Sequence, residues 1–335
     1  MITRIGSYTI NLDSRPRILG AAAVVGKKEG GGPLGSCFDR INDDTTMGEA
    51  TWERSESALQ STASQMAMDK AAVLAADVNY IFAGDLLNQC IGSTYGLRDY
   101  SVPVIGMFGA CSTMALTMAT AAIFVDGGAA EKCVAVTSSH FCSAERQFRM
   151  PLEYGGQRPP TAQWTVTGSG AAVIGKGSGS IAINKITYGR IMDYGIKDAN
   201  NMGAAMAPAA ADTILNYFKD TQTSPNDYDL ILTGDLGLVG SRLLRELTER
   251  DGIRLGGNYN DCGLMIFDLE KDDAHAGGSG CGCSASVFCG HIVKEMQKGR
   301  LKNILFCATG ALMSPTASLQ GETIPSVAHL LNITV

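Results

Sequence analysis

The sequence predicts an α/β protein made of two similar halves, each alternating helices with strands of a mostly parallel sheet. Three observations carry that expectation. They are a long-range internal repeat, the same succession of helical and apolar strand segments in both halves, and a composition rich in glycine and poor in charge. Glycine makes up 40 of 335 residues and charged residues 18%, where about 7% and about 25% are usual for soluble domains. Such a chain buries a large interior behind close-packed turns. Its length suits one large domain or two ordinary ones of ~150 residues. The net charge of −6 argues against nucleic acid or anionic lipid as a broad partner, since both need basic surface.

The repeat has two parts. DVNYIFAGDLL (77–87) returns as DYDLILTGDLG (227–237), matching Asp77 to Asp227, Ile81 to Ile231, Gly84 to Gly234, Asp85 to Asp235 and Leu86 to Leu236. Further along, ACST (110–113) aligns with GCSA (282–285). Continued without a gap, that alignment sets Gly127 on Gly299 and Thr137 on Thr309. Each copy reads as turn, helix, glycine and strand, and so marks a duplication.

Taken in order, the first half offers an amphipathic helix around Met47–Ala76, two strands, a core helix and a further strand, KCVAVTSSH. TGSGAAVIGKGSGSIAINKITY then reads as a closing hairpin. The second half begins near Gly189 with the helix MGAAMAPAAADTILNYFKD, which gives halves 1–188 and 189–335. The uncharged run from Ser101 to Val125 is long enough to span a bilayer, which needs ~20 apolar residues. Pro103, Gly106, Gly109, Ser112, Thr113, Thr117 and Thr120 interrupt it. It therefore divides into a short strand, Val102–Met107, a turn, and a buried helix that Asp126-Gly127-Gly128 closes.

The opening residues MITRIGSYTINLDSRPR lack the apolar centre of a signal peptide. The ten cysteines are scattered, several within apolar runs such as NILFCATG. Free, mostly buried thiols in a reducing compartment are expected. Cys111 stands apart because it lies where a strand turns into a helix. Backbone N–H groups and the helix dipole favour a thiolate there, while a buried structural thiol is the plainer alternative. GAAVIGKG (170–177) falls short of a phosphate-binding loop, since Gly177 stands where Ser or Thr is required. His275, Cys281, Cys283, Cys289 and His291 fit no zinc-ligand spacing. No metal site is expected.

A turn–Cys–helix element in a duplicated α/β chain resembles the thiolase superfamily, in which ketoacyl synthases and thiolases carry a nucleophilic cysteine at this place. The resemblance implies a thiolase-like fold with layers α-β-α-β-α. Those enzymes need His, or His and Asn, in the second half to activate the thiol and hold an oxyanion. Here Asp235-Leu236-Gly237 follows the strand, the matching turn GGSGCGCSAS supplies Cys281 and Cys283, and His275 stands upstream. An acidic Asp235 opposes an enolate. The condensing set is missing.

SSHFCSAERQFRMPLEYGGQRPPTAQW (138–164) gathers His140, Glu145, Arg146, Arg149, Glu153, Tyr154, Arg158 and Trp164 beyond a strand's C-terminal end, where α/β sheets bind ligands. A dimer-interface loop with internal Arg–Glu pairs is the alternative. Long phrases such as GPLGSCFDRINDDTTMGEATWERSES, ERQFRMPLEYGGQRPPTAQWTVTGSGAA and HAGGSGCGCSAS, with NNMGAAMAPAA between, resemble the stage V sporulation AD family of endospore-forming bacteria. That resemblance implies a soluble protein held at the inner spore membrane, in sporulation and germination. It also implies binding of dipicolinic acid, integral membrane partners of the same machinery, and a homodimer. No resident cofactor is implied, calcium entering only with dipicolinate.

A planar pyridine with two carboxylates suits a helix N-terminus at Cys111, Ser112 and Thr113 and an arginine fork from Arg146, Arg149 or Arg158. His140, Trp164, Asp235, Cys281 and Cys283 complete the expected pocket. The favoured expectation is a non-catalytic binding protein with Cys111 as a vestigial nucleophile. An acyltransferase using Cys111 on acyl-CoA and a purely structural subunit are the competing classes.

Overall fold

The computed structural model describes residues 2–148 and 158–335. The first half rests on β1 (Arg17–Gly26), β2 (Tyr80–Gly84), β3 (Val104–Gly106), β4 (Lys132–Ser139) and β5 (Gly168–Gly175). The second rests on β6 (Ile181–Tyr188), β7 (Leu230–Thr233), β8 (Tyr259–Asp261), β9 (Asn303–Ala311) and β10 (Ser326–Thr334). Hydrogen bonds join them in the order β8-β7-β9-β10-β6-β1-β5-β4-β2-β3, in a 13-stranded sheet completed by Thr3–Ile5, Thr9–Asn11 and Arg40–Asn42. Outward from the seam, β1-β5-β4-β2-β3 matches β6-β10-β9-β7-β8 strand for strand. The three outer strands of each set are parallel, and β5 and β10 run antiparallel to their neighbours. The duplication expected from the repeat is thus present in the topology.

The covering helices include α1 (Trp52–Ala71), α2 (Thr113–Asp126), α3 (Phe141–Phe148), α4 (Met202–Thr221), α5 (Gly237–Arg250) and α6 (Cys281–Val287). Side chains of a strand alternate between its two faces, and both faces here are buried. Ile81 and Ala83 of β2 pack with Leu59, Ala63 and Met68 of α1, while Phe82 packs with Met114 and Met118 of α2. In the second half Leu305 and Cys307 of β9 meet Met206, Ala210 and Ile214 of α4, while Phe306 and Ala308 face the same core as α2. The α2 helix touches β2, β4 and β5 on one side and β9 and β10 on the other, and α6 lies on β1, β4 and β5. The layers run α1, half-sheet, α2 with α6, half-sheet, α4, as the α-β-α-β-α expectation has it. Each fully buried Leu, Phe or Met in these layers contributes about 1.5–3 kcal/mol by leaving water.

Three local expectations are corrected. The segment 168–188 is not a hairpin: β1 separates β5 from β6, and β6 pairs with β10. Its glycine-rich middle is a crossing between the halves, so β6 joins the ladder of the C-terminal half ahead of Gly189. The first helix is shorter than Met47–Ala76. Thr51 caps it by accepting from Arg54 N, and Ala72 ends it in the left-handed region at φ 52°. The strand β1 was not anticipated, because ILGAAAVVG has little β propensity. Its small residues answer to α1, which lies so close that a Cβ on Gly20 would stand 2.5 Å from the Ala67 carbonyl oxygen.

The uncharged run does divide into β3, a turn and α2, whose Met114, Ala115, Met118, Ala119, Ala121, Ala122 and Val125 are wholly buried. Among the described residues no helix is long and apolar enough to cross a membrane. All ten cysteines are free thiols.

Candidate functional site

The two halves meet at the N-terminal ends of α2 and α6, where a cavity of about 80 Å³ opens. Its apolar wall comes from Leu86, Phe108, Ala110, Ala144, Phe148, Met202, Met206, Ala311 and Met313. Its polar lining is Cys111, Glu145, Gln163, Thr165, Asn200 and Ser279. No Lys, Arg or His lines it among the described residues.

Cys111 reaches the cavity because the chain turns sharply before α2. Ala110 sits at φ 49°, and Thr113 locks the turn by donating to the Ala110 carbonyl at 2.6 Å and accepting from Gly109 N at 3.1 Å. Ser112 donates to the Gly109 carbonyl at 2.7 Å. Both hydroxyls are buried and turned into the backbone. Gly280 precedes α6 at φ 98°, as Ala110 precedes Cys111. Cys281, rather than Cys283, is therefore the counterpart of Cys111, two residues away from the gapless alignment. Cys111 and Cys281 share a small buried cluster with Leu86 and Ala144.

Asp235, on the turn after β7, forms the floor behind Ser279. It is fully buried, accepting from Ser279 Oγ at 3.1 Å, Gly280 N at 2.9 Å and Thr309 Oγ1 at 2.9 Å. Asp261 sets that turn in place. It accepts from Leu236 N at 2.9 Å, Gly237 N at 3.0 Å, Gly263 N at 3.0 Å and Thr233 Oγ1 at 2.6 Å. Burial pushes the Asp235 carboxyl up to about 6, against which its hydrogen bonds work. Burial likewise takes Asp261 to about 7, and the charge of Asp235 adds to the effect.

The Cys111 thiol is driven far above its ordinary range, by burial first and by Asp235 second. Of the two readings left open for Cys111, this favours the buried thiol over the thiolate. One helix end does not offset the loss of water and a neighbouring carboxylate. Cys281 donates to the Ser138 carbonyl at 2.8 Å, and Cys283 points away toward the Gly234 carbonyl at 3.7 Å. The Ser279 hydroxyl lies 4.0 Å from Cys111 Sγ.

A family model described as stage V sporulation protein AD (SpoVAD) matches residues 6–334. The chain belongs to that family. Stage V sporulation protein AD of Bacillus subtilis (strain 168) is 48% identical over 309 residues, which cover 92% of this chain and 91% of that protein. Among solved structures, 3-oxoacyl-[acyl-carrier-protein] synthase III of Aquifex aeolicus aligns over 96% of this chain and 100% of its own, at TM-score 0.58 and 13% identity. A form of OleA from Xanthomonas campestris aligns over 97% and 99%, at TM-score 0.62 and 12% identity. At such identities the likeness shows the fold, which is thiolase-like.

In this SpoVAD-family chain the residues expected around the ligand do not all converge. Cys111 lines the cavity, and Asp235 and Cys281 stand directly behind it. Ser112, Thr113 and Cys283 are buried in backbone contacts. His140 is buried elsewhere. Its Nε2 meets the Thr45 carbonyl at 2.8 Å and its Nδ1 accepts from Cys142 N at 3.2 Å, while burial lowers its pKa. Arg146 pairs with Glu53 and lies over Trp52, both on α1, so its partner is not internal to the 138–164 segment as the interface-loop alternative had it. Arg158 donates to the Asp273 carbonyl at 3.1 Å and lies 4.6 Å from the Trp164 ring centroid. Trp164 itself stacks on Phe141 at 3.9 Å, with Lys28 Nζ at 4.1 Å. Arg149, Glu153 and Tyr154 lie outside the described residues. His275 is held by the Pro159 carbonyl and Asp273.

Sequence reasoning missed Ser279, Gln163, Thr165, Asn200 and the three methionines. None of them bears chemistry that spacing alone singles out. Gln163, Thr165, Asn200, Met202, Met206 and Ser279 do fall inside the long phrases that carry the family resemblance.

Proposed function

We propose that this sporulation protein binds dipicolinic acid, alone or with calcium, in its thiolase-like cleft and performs no condensation there. The observation that carries the reading is the pairing of Cys111 with Asp235. A condensing site needs a base or a hydrogen-bond donor to activate the thiol and to hold an oxyanion. A buried carboxylate beside the thiol raises its pKa and repels an enolate. The size of the cleft supports a small ligand. At ~10–15 Å³ per water, about 80 Å³ holds on the order of half a dozen waters, the scale of one small ring.

On this reading Ser279, Thr165, Gln163 and Asn200 supply polar contacts and the methionines and Phe108 face the ring. The protein works at the spore inner membrane through integral membrane partners of the same machinery. It pairs with a second copy along edge strand β3, where Val104, and Phe108 just beyond the strand, are 41% and 49% exposed. Calorimetric titration with dipicolinate, with and without calcium, tests the ligand. Saturable one-site binding that weakens in Ser279→Ala is expected. No heat and no saturation under either condition would remove the reading.

A further inference from the structure

The cleft presents an anion with a difficulty. Its only charged lining residue among those described is Glu145, and the next charge inward is Asp235. Among the described residues no cation lies beside Asp235 at the floor. The titratable groups facing Asp235 are Cys111 at the start of α2, Cys281 and Cys283 of α6, and Asp261 and Cys262 after β8. Glu145 of α3 lines the same cavity. None of these is a base that carries positive charge. Thr309 of β9 and the Ser279 hydroxyl complete its surroundings as neutral donors.

An ionised Asp235 does two things to an incoming carboxylate. It repels it across a water-poor space, where like charges interact far more strongly than in bulk water. It also holds the Ser279 hydroxyl, a donor on the cavity wall, at 3.1 Å. A neutral Asp235 removes the repulsion and competes less for that hydroxyl, which then turns to the ligand. We infer that the cleft takes up its anionic ligand together with one proton from solvent, which Asp235 accepts. No bond to the ligand forms or breaks, and the proton returns to solvent on release. Burial, which already holds this carboxyl at about 6, makes the uptake cheap near neutral pH. Binding thus senses pH at the floor of the cleft. The inference rests on the anionic ligand assigned under the proposed function.

The test is calorimetry of dipicolinate binding to the whole chain at pH 6, 7 and 8, in two buffers of different ionisation enthalpy, which counts protons. The ligand's carboxyls are ionised across that range. For the unaltered protein the expected uptake approaches one proton per ligand at pH 8, with affinity falling up to tenfold between pH 7 and pH 8. Asp235→Asn should bind with almost no uptake and little pH dependence. Ser279→Ala, which keeps the carboxyl, should bind more weakly yet still take up the proton.

Binding by the unaltered protein without proton uptake would overturn the inference and leave the ligand assignment standing. Equal uptake in Asp235→Asn would do the same by moving the proton elsewhere. Absence of binding at every pH would overturn both. The proton count on the unaltered protein decides even where Asp235→Asn does not fold.

Discussion

Gly310 of β9 lies against Gly109, the residue that opens the Cys111 turn, so closely that a Cβ on Gly310 would stand 2.2 Å from the Gly109 carbonyl oxygen. The same atom would be 3.1 Å from Ser112 N. The second half of the molecule therefore presses directly on the turn that presents the cysteine of the first. Neither glycine is at positive φ, so the constraint is space and not backbone conformation. Gly310→Ala is expected to cost about 1–3 kcal/mol, the range for overpacking a full interior. Urea unfolding should show a lowered midpoint with an unchanged slope. Ligand affinity should fall as well, because relief of the clash must move the Cys111 turn.

Cys111 is expected to behave as an inert thiol at neutral pH. Burial and Asp235 both oppose its ionisation, and the thiolate is the nucleophile. Peptide mass spectrometry after incubation with acyl-CoA thioesters should find Cys111 unmodified. With iodoacetamide at pH 7, the half-buried Cys37, Cys90 and Cys142 should label well before it. Asp235→Asn removes the neighbouring charge and should speed Cys111 labelling severalfold at pH 8. A stable acyl adduct on Cys111 in the unaltered protein would restore the acyltransferase reading.

The repeat was the most legible feature of this chain, because Gly84-Asp85 and Gly234-Asp235 close equivalent strands and must satisfy the same turn twice. Asp85 accepts from Leu87 N and from both Ser93 N and Oγ, whereas Asp235 reaches across to Ser279 and Thr309. Sequence could show that the two aspartates correspond. It could not show that one stands just behind a cavity, since that depends on which half packs over which end. The hairpin error has a similar origin. Two apolar runs joined by glycines look alike whether they pair with each other or with strands far away in sequence. Arg146 and Trp164 were drawn toward the ligand by their chemistry. Glu53 and Phe141, which occupy them, come from contacts that only the folded chain makes.

Stability should fall as pH rises above about 6.5. Burial raises Glu29 and Asp261 to about 7. A carboxyl raised in the native state binds its proton there more tightly than in the unfolded chain. Its contribution is present at low pH and is lost as pH climbs from the unfolded value, ~4, to the folded one. His329 runs the other way. Burial lowers it to about 4, so its contribution is lost as pH falls below its usual 6.5. Above pH 6.5 the raised carboxyls, Glu56 at about 8 among them, set the slope, and the buried thiols add to it only as pH nears their unfolded value of ~8.5. Glu29→Gln keeps an acceptor for Thr167 N and should reduce the decline by up to about 1.4 kcal/mol per pH unit of its range. Urea midpoints at pH 6.5, 7.25 and 8 measure it, and a slope unchanged by the substitution would count against a protonated Glu29.

Neutralising Arg146 should leave ligand binding almost untouched. Its guanidinium is engaged by Glu53 and lies 5.6 Å from the Trp52 ring centroid, outside the cavity wall. An exposed pair of this kind contributes about 0–1 kcal/mol to stability, so Arg146→Gln is expected to shift the urea midpoint slightly and affinity by less than twofold. Trp164→Ala should do the reverse of what a stacking platform would. Its ring already packs on Phe141 and under Lys28, and its neighbours Gln163 and Thr165 are the ones that line the cavity. Loss of the ring should cost about 3–5 kcal/mol if the site cannot collapse, and less where it can. The binding enthalpy of the remaining folded protein should stay close to that of the unaltered chain. A large loss of affinity in Arg146→Gln with stability intact would return the arginine fork to the ligand.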